Sequence, residues 1–150
     1  MLEKNLKIDT SEYVKNIKEM IELDYEVTTP VVGWSMHPFL RNEKDRVLLK
    51  KPDCPLAVGD IVFYQRKTGQ YVLHRIYKKR FDGYYMAGDH LFELEGPIKE
   101  NAIFAKVIEV EREKRWISTN AWFWKMAGWL WRFVFPVRKI YYEIKKAIRK

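Results

Sequence analysis

The sequence predicts a mainly β protein, a coiled antiparallel sheet with a short helix before it and an amphipathic helical tail behind it. Three observations carry this expectation. Short β-type runs follow one another from Tyr25 to Ser118. Turn residues divide them with no long helix in between, which parallel pairing would require. Near Ser118 the composition changes abruptly to an aromatic and basic stretch.

Residues 1–26 read as the N-terminal helix. Asp9 or Thr10 can cap it, and Val14, Ile17, Met20 and Ile21 recur at helical spacing. The β domain spans 27–118, with runs "YEVTTPVVG", "DRVLLKK", "GDIVFYQR", "QYVLHRIYKK", "GYYMAGD", "NAIFAKVIEVERE" and "RWIS". The breaks "KTG" and "FDG" read as hairpin loops between strands. Residues 119–150 form the tail.

The chain has 150 residues, 47% of them hydrophobic, enough for one domain with a real core and too apolar for disorder. Its single cysteine, Cys54, excludes an internal disulfide and reads as a loop thiol. No secretory signal pattern is present, and no metal or cofactor is called for. Of the net charge of +8, residues 121–150 carry +7, from eight basic side chains against Glu143. A nucleic-acid binder would more often spread such charge over its fold, so no specific nucleic-acid partner is expected.

Three short pieces carry chemistry: "GWSMHP", "YVLHRIY" and "AGDHLFELEG". A serine hydroxyl is a poor nucleophile until a base takes its proton. His74 alternates with Val72 and Ile76 on one strand face, which Lys78 shares further along. From the strand alone, a histidine bonded within the core explains His74 as well as a base does. Asp89, Glu93 and Glu95 offer an acid to orient it. His37 is too near Ser35 in the chain to act as its base, and His90 reads as a turn residue.

In order, "SMHPFL", "VGDIVFY", "VLHRI" and "GDH" resemble the boxes of type I signal peptidases, whose serine-peptidase clan includes the self-cleaving repressors. Histidine in "VLHRI" is similar to the endoplasmic-reticulum and sporulation-type subgroup, which uses histidine where most members use lysine. The chain is closer still to small signal-peptidase-like proteins of anaerobic Gram-positive bacteria. The resemblance, covering roughly Thr28 to Val110, implies Ser35 as nucleophile and His74 as general base, with Asp89 or Glu95 as acid. It implies Gly33, Trp34 and Met36 around the substrate, Asp60 as the holder of a turn, and the Ser35 N–H as oxyanion donor. Gly33 stands where signal peptidases usually have a serine that supplies a second donor. The implied substrate is a signal or leader peptide with small residues before the cut.

The tail, "AWFWKMAGWLWRFVFPV" onward, is too short and too charged to span a bilayer: as a helix, Ala121–Phe135 reaches roughly 22 Å against a ~30 Å hydrocarbon core. Pro136 should kink or split it. Lys125, Arg132, Lys139 and Lys146 recur every seven residues, with Trp122, Met126, Trp129, Leu130, Phe133 and Val137 largely opposite. This pattern predicts a helix lying in an anionic membrane interface, with Trp129 and Trp131 among its lipid contacts. A helix packed on its own domain is the plainer alternative.

The expected protein is therefore a membrane-associated serine endopeptidase, on the cytoplasmic side by default. A self-cleaving regulator would need a DNA-binding unit, for which some 26 residues before the β domain are too few. A non-catalytic peptide-binding module on the same frame is the other alternative.

Overall fold

The computed structural model describes residues 10–150. It is mainly β, an eight-stranded antiparallel sheet that does not close, with one helix before it and two after it. Helix α1 (Thr10–Glu22) is followed by β1 (Val27–Pro30), β2 (Arg46–Lys50), β3 (Ile61–Gln65), β4 (Tyr71–Arg80) and β5 (Gly83–Ala87). Then come β6 (Glu95–Ile98), a 3-10 turn (Glu100–Ala102), β7 (Ile103–Arg112), β8 (Arg115–Ser118), α2 (Trp122–Phe133) and α3 (Phe135–Ile148). Of the two expected caps, Asp9 lies outside the described residues and Thr10 is the first residue of α1.

The strands run in the order β1-β2-β7-β3-β4-β5-β6, and β8 pairs with β7 beyond β3. Each predicted run becomes a strand, because alternating apolar residues meet turn residues at both ends. The "KTG" loop closes β3 on β4 through the Arg66 N–H to the Gln70 carbonyl, 2.8 Å. "FDG" joins β4 to β5. The sequence reading did not single out β6. Gly96 and Pro97 sit inside it, and proline is tolerated there because β6 is an edge strand whose one partner among the described residues is β5.

Helix α1 buries Val14, Ile17 and Ile21 against the sheet, whereas Met20, at the margin of that stripe, is exposed. The helix stops in a Schellman arrangement. Tyr25 N–H reaches the Met20 carbonyl and Asp24 N–H the Ile21 carbonyl, with Asp24 in the left-handed region at φ 65°. Two core clusters result. One joins α1 to Val31, Met36, Leu40, Val47, Leu49, Val107 and Trp124, and the other fills the far end of the sheet with Val62, Tyr64, Val72, Ile76, Tyr84 and Met86.

The tail splits as Pro136 predicts, at Val134, with the proline in the first turn of α3. Its position on the domain differs from a simple stripe. Trp124 and Gly128 are buried, Tyr77 packs on Phe135 with ring centres 5.2 Å apart, and Phe92 stacks on Tyr142 at 4.5 Å. Trp131 and Arg138 both reach the Asp89 carbonyl, at 2.8 and 3.2 Å. Arg132 lies against Gly59 and donates to the Gly128 carbonyl, so it does not continue a solvated basic stripe. Trp131 likewise belongs to the docked side, with Arg138 4.0 Å from its ring centre. The kink and this inward seam break the seven-residue pattern. Among the described residues no helix is long and apolar enough to cross a membrane.

Docking of α2 and α3 also explains a departure from alternation in β4, where His74, Arg75, Ile76 and Tyr77 are all buried. One face of the strand meets the sheet's own core and the other meets the helices. Gly128 makes this approach possible, since a Cβ there would lie 2.9 Å from an Arg75 guanidinium nitrogen. A bulge between Ile76 and Lys78 then turns Lys78 into solvent, away from the face of His74.

Candidate active site

The segment Val31–Asp45, between β1 and β2, presents Ser35. It is not a loose loop. Val31 N–H donates to the Asp45 carbonyl, Glu43 N–H to the Val31 carbonyl, and Leu40 N–H to the Met36 carbonyl. Met36 and Leu40 point into the core. At its base the fully buried Asp45 carboxylate accepts from the Arg41 backbone and side chain and from Arg112. Burial works to raise the Asp45 pKa, but Arg41 and Arg112 outweigh it and hold the carboxylate below its usual range. Arg112 also donates to the Phe39 carbonyl at 2.7 Å.

A second segment braces the serine. His90 N–H donates to the Ser35 carbonyl at 2.9 Å. Gly88 permits this approach, because a Cβ on it would collide with the Ser35 carbonyl oxygen.

Ser35 and His74 line one cleft of ≈ 380 Å³. Val14 and Ile17 of α1, Val31, Gly33, Met36, Val47, Phe63, Leu73 and Leu91 share its walls, so it is mostly apolar, with Arg66 and Gln70 adding polar groups. Trp34, expected at the substrate, is not among the lining residues; it is exposed and stands 5.9 Å from the His37 ring. Gly33 lines the cleft, but its N–H is committed to Asn42 Oδ1 at 2.8 Å. The Ser35 N–H, by contrast, donates to no acceptor among the described residues, and no hydrogen bond joins Ser35 Oγ to His74.

The acids separate cleanly. Asp89, fully buried, is gripped by Arg75 through Nε and Nη2, each at 2.9 Å, and by the Tyr77 hydroxyl at 3.0 Å. It makes no hydrogen bond to His74, contrary to the role the "GDH" box implies. Glu95 stands nearer His74. The Tyr64 hydroxyl donates to Glu95 Oε2 at 2.8 Å and lies 3.4 Å from His74 Nδ1. Arg66 Nε completes the group, 2.9 Å from Glu95 Oε2. Glu93 is exposed and Asp60 holds a turn, accepting from the Ala57 N–H at 2.9 Å. The rings of His37 and His90 face each other with centres 5.9 Å apart, and among the described residues neither ring is hydrogen-bonded to Ser35; Cys54 is an exposed free thiol.

Tyr64 is the residue that motif reading passed over. Its signal was the hairpin register: Val62 pairs with His74 and Tyr64 with Val72, so Tyr64 is the diagonal neighbour of the histidine on the same face.

Burial pushes the His74 pKa down to about 4, helped by Arg66 and opposed by Glu95. The ring is therefore neutral at neutral pH, as a proton acceptor must be. Because the folded value lies below the unfolded one of about 6.5, the unfolded chain binds more protons between them. Stability is fully present above pH 6.5 and falls as pH drops toward 4. From pH 7 to pH 5 the loss from this one group should be about 2 kcal/mol. Urea unfolding at the two pH values should show it, and His74→Asn should remove that part of the dependence.

Set against known proteins, the chain matches no family model, and no curated protein or solved structure matches it either.

Proposed function

We propose that the chain is a serine endopeptidase that cleaves signal or leader peptides at a membrane surface. One observation carries the reading: Ser35 and His74, far apart in sequence, line the same apolar cleft, with a Ser35 N–H that is unpaired among the described residues beside the hydroxyl. His74 Nε2, the nitrogen turned away from Tyr64, takes the proton of Ser35 as the hydroxyl attacks the scissile carbonyl. The Ser35 N–H receives the developing oxyanion. The protonated histidine then passes its proton to the leaving amine, and water hydrolyses the acyl-enzyme by the same route. The substrate lies extended beside β1, whose outer edge has no strand partner among the described residues.

The direct test is labelling by a serine-directed fluorophosphonate together with cleavage of leader peptides carrying alanine-x-alanine sites. Labelling of the wild type and its loss in Ser35→Ala is the expected result. The missing Ser35–His74 hydrogen bond is what a non-catalytic peptide-binding module on this frame would show, and absence of both labelling and cleavage would favour that module. Apo enzymes often tighten such contacts only on substrate binding.

The membrane contact belongs to the outer face of α2 and α3. Opposite the docked seam, Trp122, Met126, Trp129, Phe133, Val137, Ile140 and Ile144 are exposed. Lys125, Lys139, Lys145 and Lys146 are exposed on the same two helices, and Arg149 and Lys150 are exposed just past the end of α3. Unpartnered apolar area bordered by cations suits an anionic bilayer surface, where each cation contributes ~1 kcal/mol.

Vesicle sedimentation should therefore require anionic lipid and weaken with salt. Alanine at both Trp129 and Phe133, which stack at 5.5 Å on the outer face, should weaken binding without changing its salt slope. A full-length protein that stays in solution beside anionic vesicles at low salt would refute this contact.

A further inference from the structure

We propose that Tyr64, held by Glu95 and Arg66, is the positioning residue for His74, standing where a Ser-His-acid arrangement has a carboxylate bonded to the histidine. The inference rests on the peptidase reading above.

Tyr64 is fully buried, its ring fixed among Val62, Val72 and Ile76, and its hydroxyl is the one polar atom of that side chain. A phenol carries a single proton. Here that proton is committed to Glu95 Oε2 at 2.8 Å, so at Nδ1 of His74, 3.4 Å away, the phenol oxygen can only accept. The hydrogen of the neutral imidazole therefore sits on Nδ1. The lone pair is left on Nε2, the nitrogen that a base in this cleft must offer to Ser35. A carboxylate at the far end of the phenol thus selects the tautomer without touching the ring.

The commitment of the proton is firm. Burial, then Glu95, push the Tyr64 pKa upward, so the phenol stays protonated. Burial works to raise Glu95 as well, but Arg66 and Tyr64 hold it below its usual value and keep it ionised. Arg66 is itself fixed by Gln70, Nη1 to Oε1 at 2.7 Å. The coil of the sheet makes the group possible, bringing Glu95 of β6 to Tyr64 of β3 although β4 and β5 lie between them in the strand order. The charged and titratable groups about His74 are thus Tyr64 and the adjoining Arg66 from the β3 side and Glu95 from β6. Asp89, the other acid of the neighbouring turn, is consumed by Arg75 and Tyr77.

Long-range ¹⁵N NMR of the full chain at neutral pH reads the tautomer directly. Wild-type His74 should show a protonated Nδ1 and a bare Nε2. Tyr64→Phe should lose that preference and lower kcat on a leader peptide about 10-fold or more with KM little changed. Arg66→Gln should move the acid limb of kcat/KM to higher pH, and Arg66→Lys should restore it. A wild-type His74 protonated on Nε2, or a Tyr64→Phe protein with unchanged tautomer and pH profile, would overturn the proposal. Undiminished cleavage by Ser35→Ala would instead remove the peptidase reading, and the NMR result would stand apart from it.

Discussion

Ser35→Ala and His74→Ala should each reduce peptide cleavage by more than about 10³-fold, with the double variant no worse than either single one. In the proposed peptidase the two side chains act as a unit. Without the hydroxyl there is nothing to acylate, and without the imidazole the hydroxyl keeps its proton at neutral pH. Neither change should unfold the protein. Ser35 makes no side-chain hydrogen bond among the described residues, so its loss leaves no partner stranded. His74 is almost fully buried, and its removal leaves a cavity beside Val62 and Tyr64, which costs stability but not the sheet. Circular dichroism beside single-turnover cleavage separates the two effects. Wild-type cleavage by the folded Ser35→Ala protein would end the enzyme reading.

Asp89→Asn should cost about 3–5 kcal/mol in urea unfolding, the penalty for breaking a buried ion pair by removing one partner. Asparagine keeps the size of the side chain but leaves the Arg75 guanidinium, 2% exposed, without its counter-charge. Replacing both members with apolar residues, Arg75→Met with Asp89→Leu, should recover much of that loss, because no lone charge then remains inside. An Asp89→Asn protein as stable as the wild type but inactive would return Asp89 to the role of orienting acid.

Much of the fold can be read in the chain because its signals are local. Each strand except β6 announces itself by alternation between turn residues, and Pro136 marks the division of the tail. Strand β6 is silent because Gly96 and Pro97 lack strand propensity, and its place is set by pairing with β5. The tail's inner face is also illegible. Apolar residues surround α2 on nearly every side, so periodicity cannot say whether Trp124 and Trp131 or Trp122 and Trp129 meet the domain. What decides it is the shape of the partner surface, the gap at Gly128 over Arg75 and the Asp89 carbonyl awaiting a donor. For the site, the types and spacing of Ser35 and His74 are visible in sequence, whereas the choice between Asp89 and Glu95 is not. That choice depends on Arg75, next to the histidine in the chain yet on the opposite face of its strand, drawing Asp89 away from it.

The grip of Trp131 and Arg138 on the Asp89 carbonyl bears on how this chain can be dissected. The next residue, His90, supports the Ser35 carbonyl, so the path from α2 and α3 to Ser35 is two residues long. Cutting the chain after Ser118 would strip the cover from Phe39, Arg75 and Tyr77 as well as removing the surface proposed to meet a bilayer. A shortened protein that neither binds vesicles nor cleaves peptide would leave anchorage and catalysis confounded. Outer-face changes such as Trp129→Ala leave the seam whole, and they are the variants with which to ask whether turnover of a soluble peptide is independent of lipid.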